Sequence, residues 1–170
     1  MEWPNVMAPW RMSYIKGISE DGGSGPGACF LCAAWQKHDD DARQLVLHRD
    51  EHAMILMNKY PYTSGHLMVT PGEHRGDFTE LTDAQLLSMS RLTVLAERLI
   101  QAVFNPQGMN IGTNIGRCAG AGLPGHVHTH LVPRWGGDTN FMTVIGQVRV
   151  IPQALEETYR QLAAALPKLL

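Results

Sequence analysis

Three histidines in strict alternation over residues 126–130 are the part of the chain best suited to chemistry. The segment reads His-Val-His-Thr-His and continues Leu-Val-Pro-Arg-Trp. Because alternate residues of a β-strand point to one face, His126, His128 and His130 should form a row of imidazoles, with the residues between them turned toward a core. Packing explains such a row poorly, since each buried ring needs partners for two nitrogens. The pattern therefore indicates a site that does chemistry.

Two cysteines form a second candidate site. Cys29 and Cys32 enclose two residues, a spacing that lets both sulfurs reach one tetrahedral zinc ion. One such pair is half of a site, and the alternative is two small buried thiols without a metal. Cys118 brings the number of cysteines to three. An odd number does not suit a secreted disulfide framework, so the cysteines favour a reducing compartment.

The composition limits the class of protein. The chain has 170 residues, of which 44% are hydrophobic and 18% are charged, which predicts one globular domain. The formal net charge of -2 gives no basic footprint, so we expect no nucleic-acid duplex as partner. We find no apolar run long enough to span a membrane and no leader pattern at the start, so we expect a cytoplasmic protein.

The elements that must position these residues follow from hydrophobic periods and turn signals. Residues 1–28 read as an N-terminal arm with a glycine-rich loop, and residues 29–170 as the folded domain. Thr82 and Gln85 form a capping box, which predicts a long helix from about 83 to about 103. A C-terminal helix is predicted over 153–166. The patterns also predict an α+β fold with about five antiparallel strands, at 44–49, 53–58, 66–70, 108–115 and 126–133.

A glycine-rich loop over 116–125 precedes the histidine row. Gly120 to Gly125 fits the Gly-x-Gly-x-x-Gly spacing of a dinucleotide site, but that motif requires a following helix and a strand pattern follows here. We therefore reject a dinucleotide site and predict a hairpin loop. Its exposed backbone amides favour a phosphate-binding role over the alternative of a long flexible turn.

At this point the sequence resembles the histidine triad family of nucleotide hydrolases and transferases, whose signature is three histidines alternating with apolar residues. Residues 126–132 fit it, with Thr129 as a polar departure. Further similarity to the branch that contains diadenosine tetraphosphate phosphorylases extends over 8–12, 58–69, 110–116 and 133–138. The resemblance implies the histidine triad fold and a homodimer with one continuous sheet across its interface.

The resemblance also implies a mechanism. His128 would attack the α-phosphorus of a nucleotide and form a nucleotidyl-histidine, while His130 would contact the phosphoryl or leaving oxygen. Asn58 would bind the ribose hydroxyls and Asn114 a phosphate. Many relatives carry Ser or Gln in the loop before the triad, whereas this chain has Ala and Gly, so backbone amides at Gly120, Ala121 and Gly122 must serve.

Zinc-containing relatives add two histidines to their cysteine pair. The matching residues here are His74 and His126, which with Cys29 and Cys32 would make a closed, structural zinc site. We expect no organic cofactor.

We therefore predict an enzyme that cleaves dinucleoside polyphosphates, with inorganic phosphate as the favoured acceptor. Arg134 is the first candidate to hold that phosphate and Arg117 the second, although each is nearly as well explained as a surface residue. Three alternatives stay open at this point: a hydrolase that uses water on dinucleoside polyphosphates or phosphoramidates, a catalytic zinc bound by all three strand histidines, and a nucleotide-binding protein without turnover.

Overall fold

The computed structural model describes residues 29–138 and 153–170. The predicted N-terminal arm and the family-like segment 8–12 lie outside the described residues, so the predicted division at residue 28 stays a prediction.

A five-stranded antiparallel sheet forms the centre of the described structure, as predicted. Its strands are β1 (Val46–Arg49), β2 (Ala53–Met57), β3 (Leu67–Pro71), β4 (Gly108–Thr113) and β5 (Thr129–Arg134). Their order in the sheet is β1-β2-β3-β5-β4. β5, the last of the described strands, therefore lies between two earlier ones and has a neighbour on both sides.

In the described ranges four α-helices accompany the sheet: α1 (Phe30–Gln36), α2 (Asp41–Gln44), α3 (Asp83–Phe104) and α4 (Leu155–Ala165). The α3 prediction is confirmed in detail, since the Thr82 hydroxyl accepts from the Gln85 amide and the Gln85 side chain accepts from the Thr82 amide. The predicted C-terminal helix is confirmed by α4, with slightly narrower bounds. Among the described residues, no helix is both long and apolar enough to cross a membrane.

The two faces of the sheet carry different partners. Odd-numbered strand residues, such as Ile55, Val69 and Leu131, pack in the main core with α3. Even-numbered residues, such as Met54 and Met68, pack on the opposite face in a second cluster with α1 and its cysteines. Because side chains alternate along a strand, the parity of the residue number tells which face a side chain occupies in the central strands. The candidate site lies on the even face.

The prediction that all three triad histidines lie on one strand is wrong for two of them. β5 begins at Thr129, so His126 and His128 precede it. The backbone at 126–127 is bonded elsewhere: the His126 amide donates to the Leu123 carbonyl, and the Val127 amide donates to the Arg75 carbonyl at 2.6 Å. Thr129, the polar departure, finds the partner that its hydroxyl needs in Thr113 across the β4–β5 pair, at 2.8 Å.

Candidate active site and metal cluster

The candidate active site lies on the even face where β3, β5 and β4 meet. His130 pairs with Met68 on one side and with Gly112 on the other. His66 directly precedes β3, and its carbonyl accepts from the Asn58 amide at 3.0 Å. A Cβ placed on Gly112 would meet no atom of the described residues within 4 Å, so these residues leave the surface of β4 beside His130 open.

His128 is held by one ring nitrogen. Its Nδ1 lies 2.8 Å from the His126 carbonyl oxygen. Because a carbonyl can only accept, Nδ1 carries the proton and Nε2 keeps its lone pair. Burial lowers the pKa of His128, against the opposing effect of its bond to the His126 carbonyl, so the ring is neutral near pH 7. Among the described residues no group is hydrogen-bonded to Nε2, and a neutral imidazole with such a nitrogen is a nucleophile.

His130 is held in the opposite tautomer by a chain of hydrogen bonds. The Tyr62 amide donates to Nδ1 of His66 at 3.1 Å, which leaves the proton of a neutral His66 on Nε2. That nitrogen lies 3.0 Å from Nδ1 of His130, which must accept. Burial, and then the neighbouring His128, lower the pKa of His130 to about 4. His130 is therefore neutral and presents an N–H at Nε2.

The two rings are neighbours. The centroids of His128 and His130 lie 4.9 Å apart with nearly perpendicular planes. One ring offers a lone pair and the other a proton, which are the two groups that a phosphoryl transfer between oxygen and nitrogen needs.

Sequence reasoning gave no role to His66 or Tyr62. His66 is buried, and the Tyr62 ring lies 4.6 Å from it and 6.0 Å from His130. His66 could have been found, because it has the same parity as Met68 on a strand that the sequence already predicted. Tyr62 lies in a loop with no period, so no pattern in the sequence points to it.

The glycine-rich loop meets the site in part. The Gly120 amide already donates to the Arg117 carbonyl at 2.9 Å, and the Ala121 amide to the Gly116 carbonyl at 3.3 Å. The Gly122 amide has no acceptor among the described residues. The loop leads into β5 without a helix, in agreement with our rejection of a dinucleotide site.

Both predicted asparagines lie near the histidines. Asn114 is one residue beyond the last β4–β5 pair, Thr113 with Thr129, and His128 is one residue beyond it on the other strand. Asn58 is beside His66, and its side-chain oxygen accepts from the Tyr60 amide at 2.8 Å, as an ordinary turn asparagine does.

Arg134 is engaged by protein groups. Its Nε and Nη2 lie 2.6 and 2.9 Å from the two carboxylate oxygens of Asp138, and Nη1 donates to the Asn110 side-chain oxygen at 2.7 Å. It also lies four residues along the strand from His130, roughly 13 Å at the ordinary rise per residue. The pairing with Asp138 and the distance from His130 both count against a phosphate-binding role for Arg134.

The structure brings the four predicted metal ligands together. One ligand atom from each of Cys29, Cys32, His74 and His126 lies within 4.8 Å of the others. His126 Nδ1 is 3.3 Å from Cys29 Sγ and 3.5 Å from Cys32 Sγ, and His74 Nδ1 is 3.3 Å from Cys32 Sγ. Cys29, Cys32 and His126 are buried and His74 is partly buried. This is a Cys2His2 set, the donor set of a closed structural zinc site.

The chemistry of these groups fits a metal ion. Nε2 of His126 donates to the Pro71 carbonyl at 2.9 Å, which leaves Nδ1 as the ligand atom and supplies the outer contact that metal-binding histidines normally have. Burial lowers the pKa of His126 to about 4, so this ring is neutral. Burial also raises the pKa of the Cys32 thiol to about 11, with Cys29 adding to the effect, so a metal must displace its proton.

Local structure explains how the cluster forms. Cys29 is the N-cap of α1 and Cys32 lies in its first turn, so both sulfurs are on one side of the helix end. Trp35 at the other end packs directly on Gly72, where a Cβ would collide with the indole. This contact fixes α1 against the turn that carries His74.

A catalytic zinc bound by all three triad histidines does not fit this arrangement. The ring of His126 faces the cysteines and His74, while His130 bonds to His66. Neither His128 nor His130 belongs to the metal-binding cluster found among the described residues.

Comparisons of sequence and of structure with known proteins both find proteins of the histidine triad (HIT) family. The HIT domain family model matches residues 40–137. The chain is 45% identical over 161 residues to an AP-4-A phosphorylase of Mycobacterium tuberculosis (strain CDC 1551 / Oshkosh), covering 93% of this chain and 82% of the relative. It is 31% identical over 104 residues to protein hit of Bacillus subtilis (strain 168), covering 61% and 71%. The crystal structure of a Zn-bound histidine triad family protein from Mycobacterium smegmatis has a TM-score of 0.68 at 30% identity, covering 85% and 97%.

Proposed function

We propose, because the chain belongs to the histidine triad (HIT) family, that it cleaves dinucleoside polyphosphates of the diadenosine tetraphosphate type by nucleotidyl transfer to His128. One observation carries the proposal: Nδ1 of His128 is bonded to the His126 carbonyl, so Nε2 holds its lone pair ready for phosphorus. The extensive identity to a phosphorylase named for this substrate class supports the choice of substrate.

In the first step, a bond forms between Nε2 of His128 and the α-phosphorus, and the bond from that phosphorus to the leaving nucleotide's bridging oxygen breaks. The ring gains a positive charge as the nucleotidyl-histidine forms. The His126 carbonyl keeps its hydrogen bond to Nδ1 and stabilises that charge. In the second step an acceptor takes the nucleotidyl group and the imidazole returns to its starting state.

His130 donates the N–H at Nε2 to the phosphoryl or leaving oxygen. His66 and the Tyr62 amide act through it, since they fix the tautomer that puts the proton there. Negative charge on oxygen grows as the substrate bond breaks, so a fixed donor in a half-buried position lowers the barrier.

The remaining roles belong to groups around the two rings. We assign phosphate contacts to Asn114 and to the Gly122 amide, with Gly120 and Ala121 shaping the loop that presents it. Asn58 would bind the ribose through its amide group, next to the turn that it caps.

We propose that Cys29, Cys32, His74 and His126 bind one structural zinc. When bound, a metal in this site would cross-link α1, the turn after β3 and the triad, and it would not be bound by His128 or His130. The Zn-bound relative supports zinc over other ions.

We also propose a homodimer formed through β4. Among the described residues this strand is an edge of the sheet, and Ile111 on its odd face is 45% exposed. A second copy of β4 would cover this side chain and satisfy the open backbone groups of the strand.

The acceptor decides between a phosphorylase and a hydrolase. Phosphate must outcompete water, at roughly 55 M, and only a positioned site with high effective molarity allows that. The identity to a phosphorylase favours phosphate. The pairing of Arg134 with Asp138 favours water, because it leaves that guanidinium neutralised. We retain phosphate as the first choice and water as the second.

One experiment separates the two. Diadenosine tetraphosphate incubated with the protein and inorganic phosphate should give ADP plus ATP, whereas a hydrolase gives AMP plus ATP at every phosphate concentration. Chromatography of the products with and without phosphate reads the answer directly. Persistent AMP would refute the phosphorylase, and no cleavage at all would refute the enzyme and leave a nucleotide-binding protein.

A further inference from the structure

We infer that His126 couples metal binding to the orientation of the nucleophile, so that an ion in the Cys2His2 cluster holds His128 in its reactive tautomer. The coupling passes through a single residue, since the His126 ring belongs to the metal cluster and the His126 carbonyl holds His128 Nδ1. The inference rests on the proposed function only in treating His128 as the nucleophile.

The ring of His126 is held on both sides. Nε2 donates to the Pro71 carbonyl at 2.9 Å, and Nδ1 faces Cys29 and Cys32 at 3.3 and 3.5 Å. The side chain is fully buried. A ring with both nitrogens fixed has no remaining freedom about its two side-chain torsions.

The backbone at 126–127 is held by the turn that carries His74. The Val127 amide donates to the Arg75 carbonyl, and the Pro71 carbonyl accepts from the His126 ring. Thr70 adds a bond from its hydroxyl to the Val127 carbonyl at 2.9 Å. None of these contacts is a pair of the sheet ladder, which begins at Thr129. The segment that orients His128 therefore depends on the position of the end of β3 and of the turn over 72–75 that follows it.

A metal would join the parts that these contacts connect. It would bond the start of α1 to His74 and to His126, at the point where the loop and the triad meet. Without it, the cluster is held by thiol hydrogen bonds, which are weak. The ring and the carbonyl of His126 leave the same Cα, so an ion that fixes the ring also fixes the position of that Cα. Without the ion the Cα can shift, and the carbonyl shifts with it. His128 then loses the acceptor that keeps its proton on Nδ1.

The test compares the full chain loaded with zinc and the same chain stripped with a chelator, without any nucleotide. Ring nitrogen shifts of His128 in a ¹⁵N-labelled sample report its tautomer, and hydrogen exchange reports the His126 and Val127 amides. We expect one tautomer with the proton on Nδ1 in the loaded chain and a mixture after stripping. Exchange at the two amides should rise on the order of tenfold or more, while exchange of Ile55 and Leu56 in β2 changes less than about threefold.

Two variants provide controls. Cys32→Ser should reproduce the stripped state in the presence of zinc, and Cys118→Ser, which alters the exposed cysteine outside the cluster, should behave as wild type. Should Cys32→Ser fail to fold, stripping and reloading the wild-type chain decides alone, because added zinc must restore both signals.

Three results would overturn the inference: unchanged signals on stripping, an equal rise of exchange in β2 and at 126–127, or a chain that takes up no zinc. The equal rise would mean that the ion only supports the whole fold. Because no substrate is used, these results leave nucleotide cleavage untouched. Conversely, a chain that does not cleave nucleotides can still show the coupling.

Discussion

His126 and His128 have the same side chain, are two residues apart and are both buried, yet their surroundings prepare them for opposite tasks. His126 has a protein group at each ring nitrogen, the Pro71 carbonyl on one side and two thiols on the other. His128 has one nitrogen fixed by a carbonyl, and no hydrogen bond to its other nitrogen occurs among the described residues. The first arrangement is closed and suits a structural ion. The second leaves a lone pair for chemistry.

In this segment the number of ring nitrogens engaged by protein groups, rather than burial, separates a structural histidine from a reactive one. Burial lowers the pKa of both rings, so both are neutral near pH 7. Neutrality is needed for a metal ligand and for a nucleophile alike.

The largest expected effect comes from removing the reactive ring. His128→Asn should lower kcat for diadenosine tetraphosphate by about a thousandfold or more, because the lost group forms a bond in the reaction. Nucleotide binding should change little, as measured by titration calorimetry. His38→Asn, at an exposed histidine on the short helix before α2, is the control and should keep full activity. A residual rate within tenfold of wild type would exclude His128 as the nucleophile.

The next effect concerns the ring that sets the tautomer of His130. His66→Leu removes the donor to His130 Nδ1 and should lower kcat/KM by about 10- to 100-fold. His66→Gln keeps an N–H in its side chain and should recover part of the loss. The loss with His66→Leu should shrink for a nucleotide ester with a good leaving group, which needs less help from His130. Equal losses for both substrates would assign His66 a structural role only.

A smaller effect on catalysis, with a larger one on stability, is expected at the closed site. Cys32→Ser should remove the zinc, which we expect at about one per chain by elemental analysis, and should lower the thermal midpoint by about 5–10 °C. Cleavage at low temperature should survive far better than in His128→Asn. If the wild-type chain holds no metal and Cys32→Ser leaves the thermal midpoint unchanged, the structural zinc is refuted.

The smallest effect is the pH dependence. The pKa of His130 is lowered to about 4 and that of His128 is lowered as well, so the neutral forms persist as the pH falls below the ordinary histidine value. We expect kcat/KM to change less than about twofold between pH 7.5 and 6.5, with the acid limb below that range. An acid limb centred at the pKa of a free imidazole would contradict the buried, neutral pair.

Zinc uptake should weaken as the pH falls over the same interval, because the raised pKa of Cys32 makes the ion compete with a proton.

The sequence predicted the elements with strong local signals. α3 followed from its capping box and period, and the four residues of the candidate metal cluster followed from a cysteine pair and the family resemblance. α1 was not predicted, because seven residues are too few to display a helical period. The predicted strand at the triad begins too early, at 126, whereas β5 begins at Thr129. Alternation describes the direction of side chains and does not tell which backbone partners are present.

The site was predicted unevenly for the same reason. His128 and His130 lie in a motif that local spacing reveals. His66 reaches His130 only through the β3–β5 pairing, which joins residues 64 positions apart. The Gly120 and Ala121 amides donate to carbonyls of their own loop. These bonds depend on backbone angles such as the positive φ at Gly116 and Gly120, which the composition of the loop does not determine.

The position of β5 between β3 and β4 has a consequence for how the protein acquires activity during folding. β1, β2 and β3 join through short connections, so this meander can form early at little cost in chain entropy. The pairing of β3 with β5 closes a loop that contains all of α3 and β4. His66 and His130 meet only in that late closure, so an intermediate that holds the meander alone has no active site. Recovery of activity during refolding should therefore coincide with insertion of β5.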